Sequence, residues 1–188
     1  ADTDPSLAGN RAWGYEIIGR AGTSEIGLDL VANQTISSEA KLQEVMNRVV
    51  AGGARWANES LQTRATKLHE IGVALEANRG RLIEVAMAEA GKTIDQADTE
   101  ISEAVDFAHY YAQRALELDS IDGASPIPFG LTVVTPPWNF PIAIPAGGAL
   151  AALAAGSAVI FKPAGASARC GAVLADIISK IIDEDIFI

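Results

Sequence analysis

"LTVVTPPWNFPIAIPAGGALAALAAGSAVIFKPAG", residues 131–165, decides how this chain folds. A β-branched run over residues 131–135 stops at Pro136 and Pro137, presents Trp138, Asn139 and Phe140, and is closed by Pro141. An Ala- and Gly-rich segment follows, suited to a helix packed very closely on a sheet. A second apolar run, residues 158–161, then ends in Lys162 and Pro163. Beyond it Cys170, Val173, Leu174, Ile177, Ile178 and Ile181 recur at helical spacing. Strand, helix, strand and helix in this order predict a βαβ unit with parallel strands and a right-handed crossover. In open sheets of this kind ligands lie beyond the carboxyl ends of the strands. Residues 136–140 and 162–164 are therefore expected to meet on one rim. A turn has no need of a tryptophan and a core element has no use for an asparagine, so this rim reads as a ligand site. No G-x-G-x-x-G follows the first strand, and a dinucleotide bound here would be held in another way.

Upstream of this unit the periodicity is helical. Leu42, Val45, Met46, Val49 and Val50 mark one helix, with Gly52–Gly53 as its expected stop. Leu61, Ala65, Leu68, Ile71 and Leu75 mark a second, broken near residues 78–80. Leu82, Ile83, Ala86, Met87 and Ala90 mark a third, closed by Gly91. A fourth runs from Ile94 to about Leu118, with Ala97, Ile101, Ala104, Val105, Ala108 and Ala112 on one face. Its other side carries Glu103, Asp106, Phe107 and Tyr110 at i, i+3, i+4 and i+7, a second face with something to contact. The first thirty-odd residues lack sustained periodicity and are expected to form an extended arm.

Composition narrows the function. The formal charge of −10 and pI of about 4.6 argue against nucleic acid, whose phosphates need clustered Lys and Arg. The lone Cys170 excludes a disulfide framework and suits a reducing compartment. No basic stretch followed by an apolar one opens the chain, so no secretory signal is read there. The run "GGALAALAAGSAVIF" is interrupted by Ser157 and followed by Lys162, and reads as a buried helix and strand rather than a membrane span. A cytoplasmic protein without nucleic-acid or membrane partners is expected.

The segments "TPPWNFPIAIP" and "GGALAALAAGSAVIFKPAG", with the stretch "NRGRLIEVAMAEAGKTIDQADTEISEAVDFAHYYAQRAL", resemble the aldehyde dehydrogenase superfamily. Within it they are most similar to L-glutamate γ-semialdehyde (pyrroline-5-carboxylate) dehydrogenases and to the dehydrogenase part of bifunctional proline-utilisation proteins. The resemblance runs from about Ser37 onward and covers well under half of a complete family member. It implies that Asn139 is the oxyanion-hole amide, which stabilises the oxygen charge as a thiolate adds to the aldehyde. It implies that Lys162 hydrogen-bonds the adenosine ribose of NAD, with NADP the alternative. Thr135, Pro136, Pro137, Trp138 and Ala164 would form the wall around that cofactor. Glu103 would lie near the substrate's α-amino group, a charge-assisted pairing, and Phe140 would pack on the substrate's aliphatic chain. Many relatives follow K-P-A with a glutamate that shares the ribose hydroxyls; this chain has Gly165 there.

Other candidate motifs carry less. "GKT" at 91–93 lacks the upstream glycine of a phosphate-binding loop, with Ala86 in its place, and follows a helix instead of a strand. His69 and His109 stand alone, and no metal site is expected. Cys170 lies on an apolar stripe and reads as a small buried hydrophobe. The family's thiolate nucleophile and general-base glutamate both lie farther along the chain than this sequence reaches.

The expected architecture is α/β. An extended arm (1–36) leads to a helical region (37–120), and then to the first βαβα of a Rossmann-like parallel sheet (121–188). Two parallel strands do not make a domain, and the apolar ending "DEDIFI" falls where further strands belong, so a fragment is expected. The expected function is that of the N-terminal part of an NAD(P)-dependent aldehyde dehydrogenase of proline catabolism, inactive by itself. Its partners would be an aldehyde and either the rest of a larger polypeptide or a second copy. The alternatives are a non-catalytic helical interaction module and a dehydrogenase for a different aldehyde.

Overall fold

The computed structural model describes residues 1–188. Eight helices run in chain order: α1 (Ala8–Ala21), α2 (Leu28–Gln34), α3 (Glu39–Ala57), α4 (Leu61–Ala77), α5 (Arg79–Ala90), α6 (Ile94–Leu116), α7 (Ala143–Ala154) and α8 (Ala168–Ile178). Strand β1 (Leu131–Val134) precedes α7, and β2 (Ala158–Phe161) follows it. Short polar side chains start several of the helices by accepting otherwise orphaned N–H groups. Ser38 accepts from Lys41 N–H at 3.2 Å, and Ser60 accepts from Thr63 N–H at 3.0 Å. Gly91, at φ +67°, closes α5 in the left-handed conformation that a side chain would resist.

β1 and β2 pair in parallel, Leu131 opposite Ala158 and Val134 opposite Phe161, with α7 as the crossover between them. The chain's last residues extend this sheet on the far side of β2. Val159 N–H donates to the Ile186 carbonyl and Phe161 N–H to the Ile188 carbonyl, both at 2.7 Å. Alternate residues of β2 thus face β1 and the terminal segment, as a central strand requires.

One continuous apolar core joins Ile17, Val49, Leu68, Ile101, Leu150, Val159 and Val173, so helices and strands share it. The Ala/Gly composition of α7 serves close approach. The Phe107 ring of α6 comes within 3.2 Å of where a Cβ at Gly147 would be, and Val134 within 3.1 Å of one at Gly148. Buried Trp56 of α3 donates its indole N–H to the Leu153 carbonyl at 2.9 Å, tying α3 to α7.

Two expectations are corrected here. Residues 1–36 are not extended: α1 and α2 occupy most of them. The apolar contact of α1 is narrow, made by Trp13, Gly14, Ile17 and Ala21, and Gly80 lies against Trp13 and Ile17. Arg20 adds an ion pair with Glu84 of α5. Nor do Gly52–Gly53 stop a helix, since α3 runs on through them to Ala57. They are glycine because the backbone passes too close for anything else. A Cβ at Gly52 would lie 1.8 Å from the Asp185 carbonyl oxygen, and one at Gly53 would lie 1.9 Å from that of Gly130.

Candidate functional site

Lys162 N–H donates to the Val134 carbonyl at 2.9 Å, continuing the ladder one residue past β2. Both strands therefore release their chains at the same rim, 135–142 from one and 162–167 from the other. On this rim Thr135, Pro137, Trp138, Asn139 and Phe140 are exposed and Pro136 is half-buried. Lys162 is exposed, while Pro163 and Ala164 are half-buried. Trp138 is 54% and Phe140 42% exposed. Two large aromatics left uncovered on one short loop mark a surface built to contact something else.

The second face of α6 divides. Phe107 is half-buried against Gly147 and stacks on Tyr111, with ring centroids 6.1 Å apart. Tyr110 is exposed, edge-on to Tyr111, with the Arg114 guanidinium 5.4 Å from its ring centroid. Glu103 and Asp106 are exposed. The charged group the structure brings to Phe140 is Lys92, whose Nζ lies 4.6 Å from the ring centroid.

Two carboxylates that the sequence reading passed over organise the rim from behind. Glu100 of α6 is 3% exposed. Its Oε2 accepts from Ile142 N–H at 3.0 Å and Ala143 N–H at 3.2 Å, the free donors at the start of α7. Its Oε1 lies 2.7 Å from Lys92 Nζ, at an angle that makes this a close ion pair instead of a hydrogen bond. Glu89 of α5 does the same for α8, accepting from Arg169 N–H at 2.9 Å and Cys170 N–H at 2.7 Å. The helix N-termini following both strands, where a phosphate would ordinarily be held, are thus filled by the protein's own carboxylates. Glu100 had a signal in the sequence: it lies three residues after Ala97 and four before Ala104, a charge on the apolar stripe.

The rim carries one unpaired cation. The Lys162 ammonium has no carboxylate partner, and its only polar contact is the Pro163 carbonyl at 3.5 Å, so its donors are free to bind an oxygen acceptor. A diphosphate finds no vacant helix N-terminus on α7 or α8, which is consistent with the missing glycine-rich fingerprint.

Cys170 is fully buried on α8. Burial pushes its thiol far above the usual range, and the neighbouring Glu89 carboxylate pushes it further. It is the opposite of an activated nucleophile. His69 and His109 do not stand alone: their Nδ1 atoms are 2.7 Å apart across α4 and α6. This pair lies on other elements than the rim. No helix is long and apolar enough to cross a membrane.

Comparison with known proteins agrees with this fold. The bifunctional protein PutA of Klebsiella aerogenes is 38% identical over 136 residues, 72% of this chain and 10% of that protein. The 1-pyrroline-5-carboxylate dehydrogenase of Anoxybacillus flavithermus is 34% identical over 155 residues, 77% of this chain and 29% of that one. The solved structure of proline utilization A from Corynebacterium freiburgense superposes with a TM-score of 0.85 at 33% identity, covering 100% of this chain and 18% of its own. The chain thus spans a tenth to three-tenths of the length of these curated relatives. The model of the aldehyde dehydrogenase family matches residues 27–187, which include both strands, the rim loops and the helices that hold them, and the chain belongs to that family.

Proposed function

We propose that this chain supplies the oxyanion-stabilising amide and the ribose end of the cofactor site in an NAD(P)-dependent aldehyde dehydrogenase. The substrate is L-glutamate γ-semialdehyde, oxidised to L-glutamate in proline catabolism. The observation that carries the reading is the Val134–Lys162 bond, which puts the Asn139 loop and Lys162 on one rim of adjacent parallel strands. The names of the relatives support the choice of aldehyde, and the lone cysteine suits the reducing cytoplasm proposed for the enzyme.

The chemistry assigned to these residues is electrostatic. The Asn139 side-chain N–H faces the aldehyde oxygen and stabilises its charge as a thiolate adds, an effect worth about 3 kcal/mol for one such donor. Lys162 holds a ribose hydroxyl, and Thr135, Pro136, Pro137, Trp138 and Ala164 wall the site against water. Phe140 packs on the substrate's methylenes, and Glu103 pairs with its α-ammonium. The bound dinucleotide supplies the hydride acceptor. The attacking thiolate comes from elsewhere, because Cys170 is buried and its thiol is pushed upward. The 188-residue chain alone is therefore inactive.

A hybrid in which residues 27–187 replace their counterparts in the Klebsiella aerogenes relative tests this. The expected result is NAD-dependent oxidation of L-glutamate γ-semialdehyde by the hybrid, lost with Asn139→Ala, and none by the chain alone. Activity of the isolated chain that disappears with Cys170→Ala would overturn the assignment. So would a soluble, NAD-binding hybrid that oxidises only other aldehydes.

A further inference from the structure

We propose that Glu100, held by Lys92, is the positioning residue for the Asn139 amide, an inference that rests on the oxyanion role proposed for Asn139. Asn139 is exposed and its side chain has no hydrogen-bond partner within the protein. A donor so placed is useful only if its backbone is fixed to within a fraction of an ångström, because an oxyanion donor acts through preorganisation.

The fixing comes from the helical region. A carboxylate buried as deeply as that of Glu100 is costly unless its oxygens are engaged. Those of Glu100 hold Ile142 N–H and Ala143 N–H on one side and Lys92 on the other. A Ser or Asn at the start of α7 would cap the helix locally. A carboxylate reaching across from α6 also sets where α7 begins relative to the rest of the protein. The ammonium of Lys92, in the turn between α5 and α6, touches Phe140, the residue after Asn139, at 4.6 Å from its ring centroid. Between Phe140 and Ile142 stands buried Pro141, whose ring locks its own backbone torsion. Every residue from Phe140 to Ala143 is thus clamped or intrinsically stiff. The Lys92–Glu100 pair links the helical region to the reacting atoms through one short path.

Amide exchange in the 188-residue chain and kinetics of the hybrid enzyme test this together. In the isolated chain, Glu100→Ala should raise exchange at Ile142 and Ala143 at least about tenfold. It should also move the Asn139 side-chain amide resonances, while Val159 and Phe161, bonded to the terminal segment, keep their protection. In the hybrid, Glu100→Ala should lower kcat about a hundredfold at unchanged KM, the scale expected for misplacement of a catalytic group. Glu100→Gln, which keeps an acceptor oxygen for both N–H groups but gives up the ion pair with Lys92, should recover part of that loss. Should Glu100→Ala unfold the chain, Lys92→Met decides: it leaves the carboxylate's backbone bonds in place, and unmoved Phe140 and Asn139 resonances would overturn the proposal. Unchanged exchange at Ile142 and Ala143 in folded Glu100→Ala would also overturn it. So would an unchanged kcat in a hybrid that Asn139→Ala disables. An active hybrid insensitive to Asn139→Ala instead removes the oxyanion reading beneath it.

Discussion

The backbone of Lys162 is bonded to the carbonyl of Val134 at 2.9 Å, although both residues lie at or past the end of their strands. This last rung makes the rim. It keeps the two chains together for one residue longer and releases the lysine side chain beside the loop that carries Asn139. The surroundings of the next loop are open: nothing lies within 4 Å of where a Cβ at Gly165 would be.

Lys162→Ala should weaken NAD binding about tenfold, the usual effect of losing one charge-assisted hydrogen bond. Gly165→Glu should fit without rearrangement and tighten NAD binding by a similar factor while disfavouring NADP, because a carboxylate repels the 2′-phosphate. Titration calorimetry on the hybrid enzyme measures both, and equal affinities across the three forms would overturn the cofactor role proposed for the rim.

The thiol of Cys170 should be inert. It is fully buried, its Sγ lies 3.6 Å from the Val85 carbonyl, and burial together with Glu89 raises its pKa. A disulfide reagent added to the native chain should label it slower than a free cysteine by about a hundredfold or more, and at the free rate in denaturant. Cys170→Ala removes only a small buried group and should cost about 1 kcal/mol of stability, readable as a shift in urea midpoint.

Glycines in this chain divide by what surrounds them. Gly53→Ala would drive a methyl group into the Gly130 backbone, where no side-chain rotation can relieve the clash. The loss should be about 3 kcal/mol or more, at the upper end of overpacking effects. Gly19, on the exposed side of α1, has nothing within 4 Å. Gly19→Ala should stabilise the protein by about 0.5–1 kcal/mol, since alanine removes backbone freedom from the unfolded chain at no cost in the helix. Paired urea melts with opposite shifts are the expected result.

The same contrast explains what could be read from the sequence. The βαβ unit was legible because its strands are β-branched, its helix is mostly Ala and Gly, and prolines punctuate both ends. The helices over 61–77 and 79–90 were legible because leucines and isoleucines recur on one face and Gly91 ends the second. α1 was missed because its contact depends on a glycine and an alanine beside Trp13 and Ile17, which leaves little apolar periodicity to detect. The glycine pair in α3 was misread because a stop and a close approach use the same residue type. Only the partner backbones, Asp185 and Gly130, distinguish them, and they are remote in sequence. Asn139, Phe140 and Lys162 stood out by motif. Glu100 carried only the weaker signal of a charge on the apolar stripe of α6, and Lys92 lay in a segment set aside as a phosphate-loop mimic; their joint role arises only when α6 meets the start of α7.

Acid should destabilise the fold through two identified carboxylates. Asp176 of α8 lies 2.6 Å from Arg81 of α5 and 3.0 Å from Lys180. Burial alone would raise its pKa, but the hydrogen bonds and charges of Arg81 and Lys180 outweigh it, and the net shift is below the ordinary 3.8. Glu76 is held below its ordinary 4.5, first by its hydrogen bonds from Arg79, against some opposing burial. Both native values are depressed, so the unfolded chain takes up protons first as pH falls. The stabilisation is therefore complete above the ordinary values and is lost as pH drops through the native ones. The melting temperature should be flat from neutrality to about pH 5 and decline below about pH 4.5. Asp176→Asn should melt lower than the parent at neutral pH, by no more than about 1 kcal/mol for a partly exposed pair, and show a shallower acid decline. Parallel acid limbs in the parent and Asp176→Asn would mean that the α5–α8 pair contributes nothing, leaving Glu89 at the start of α8 as the polar tie between these helices.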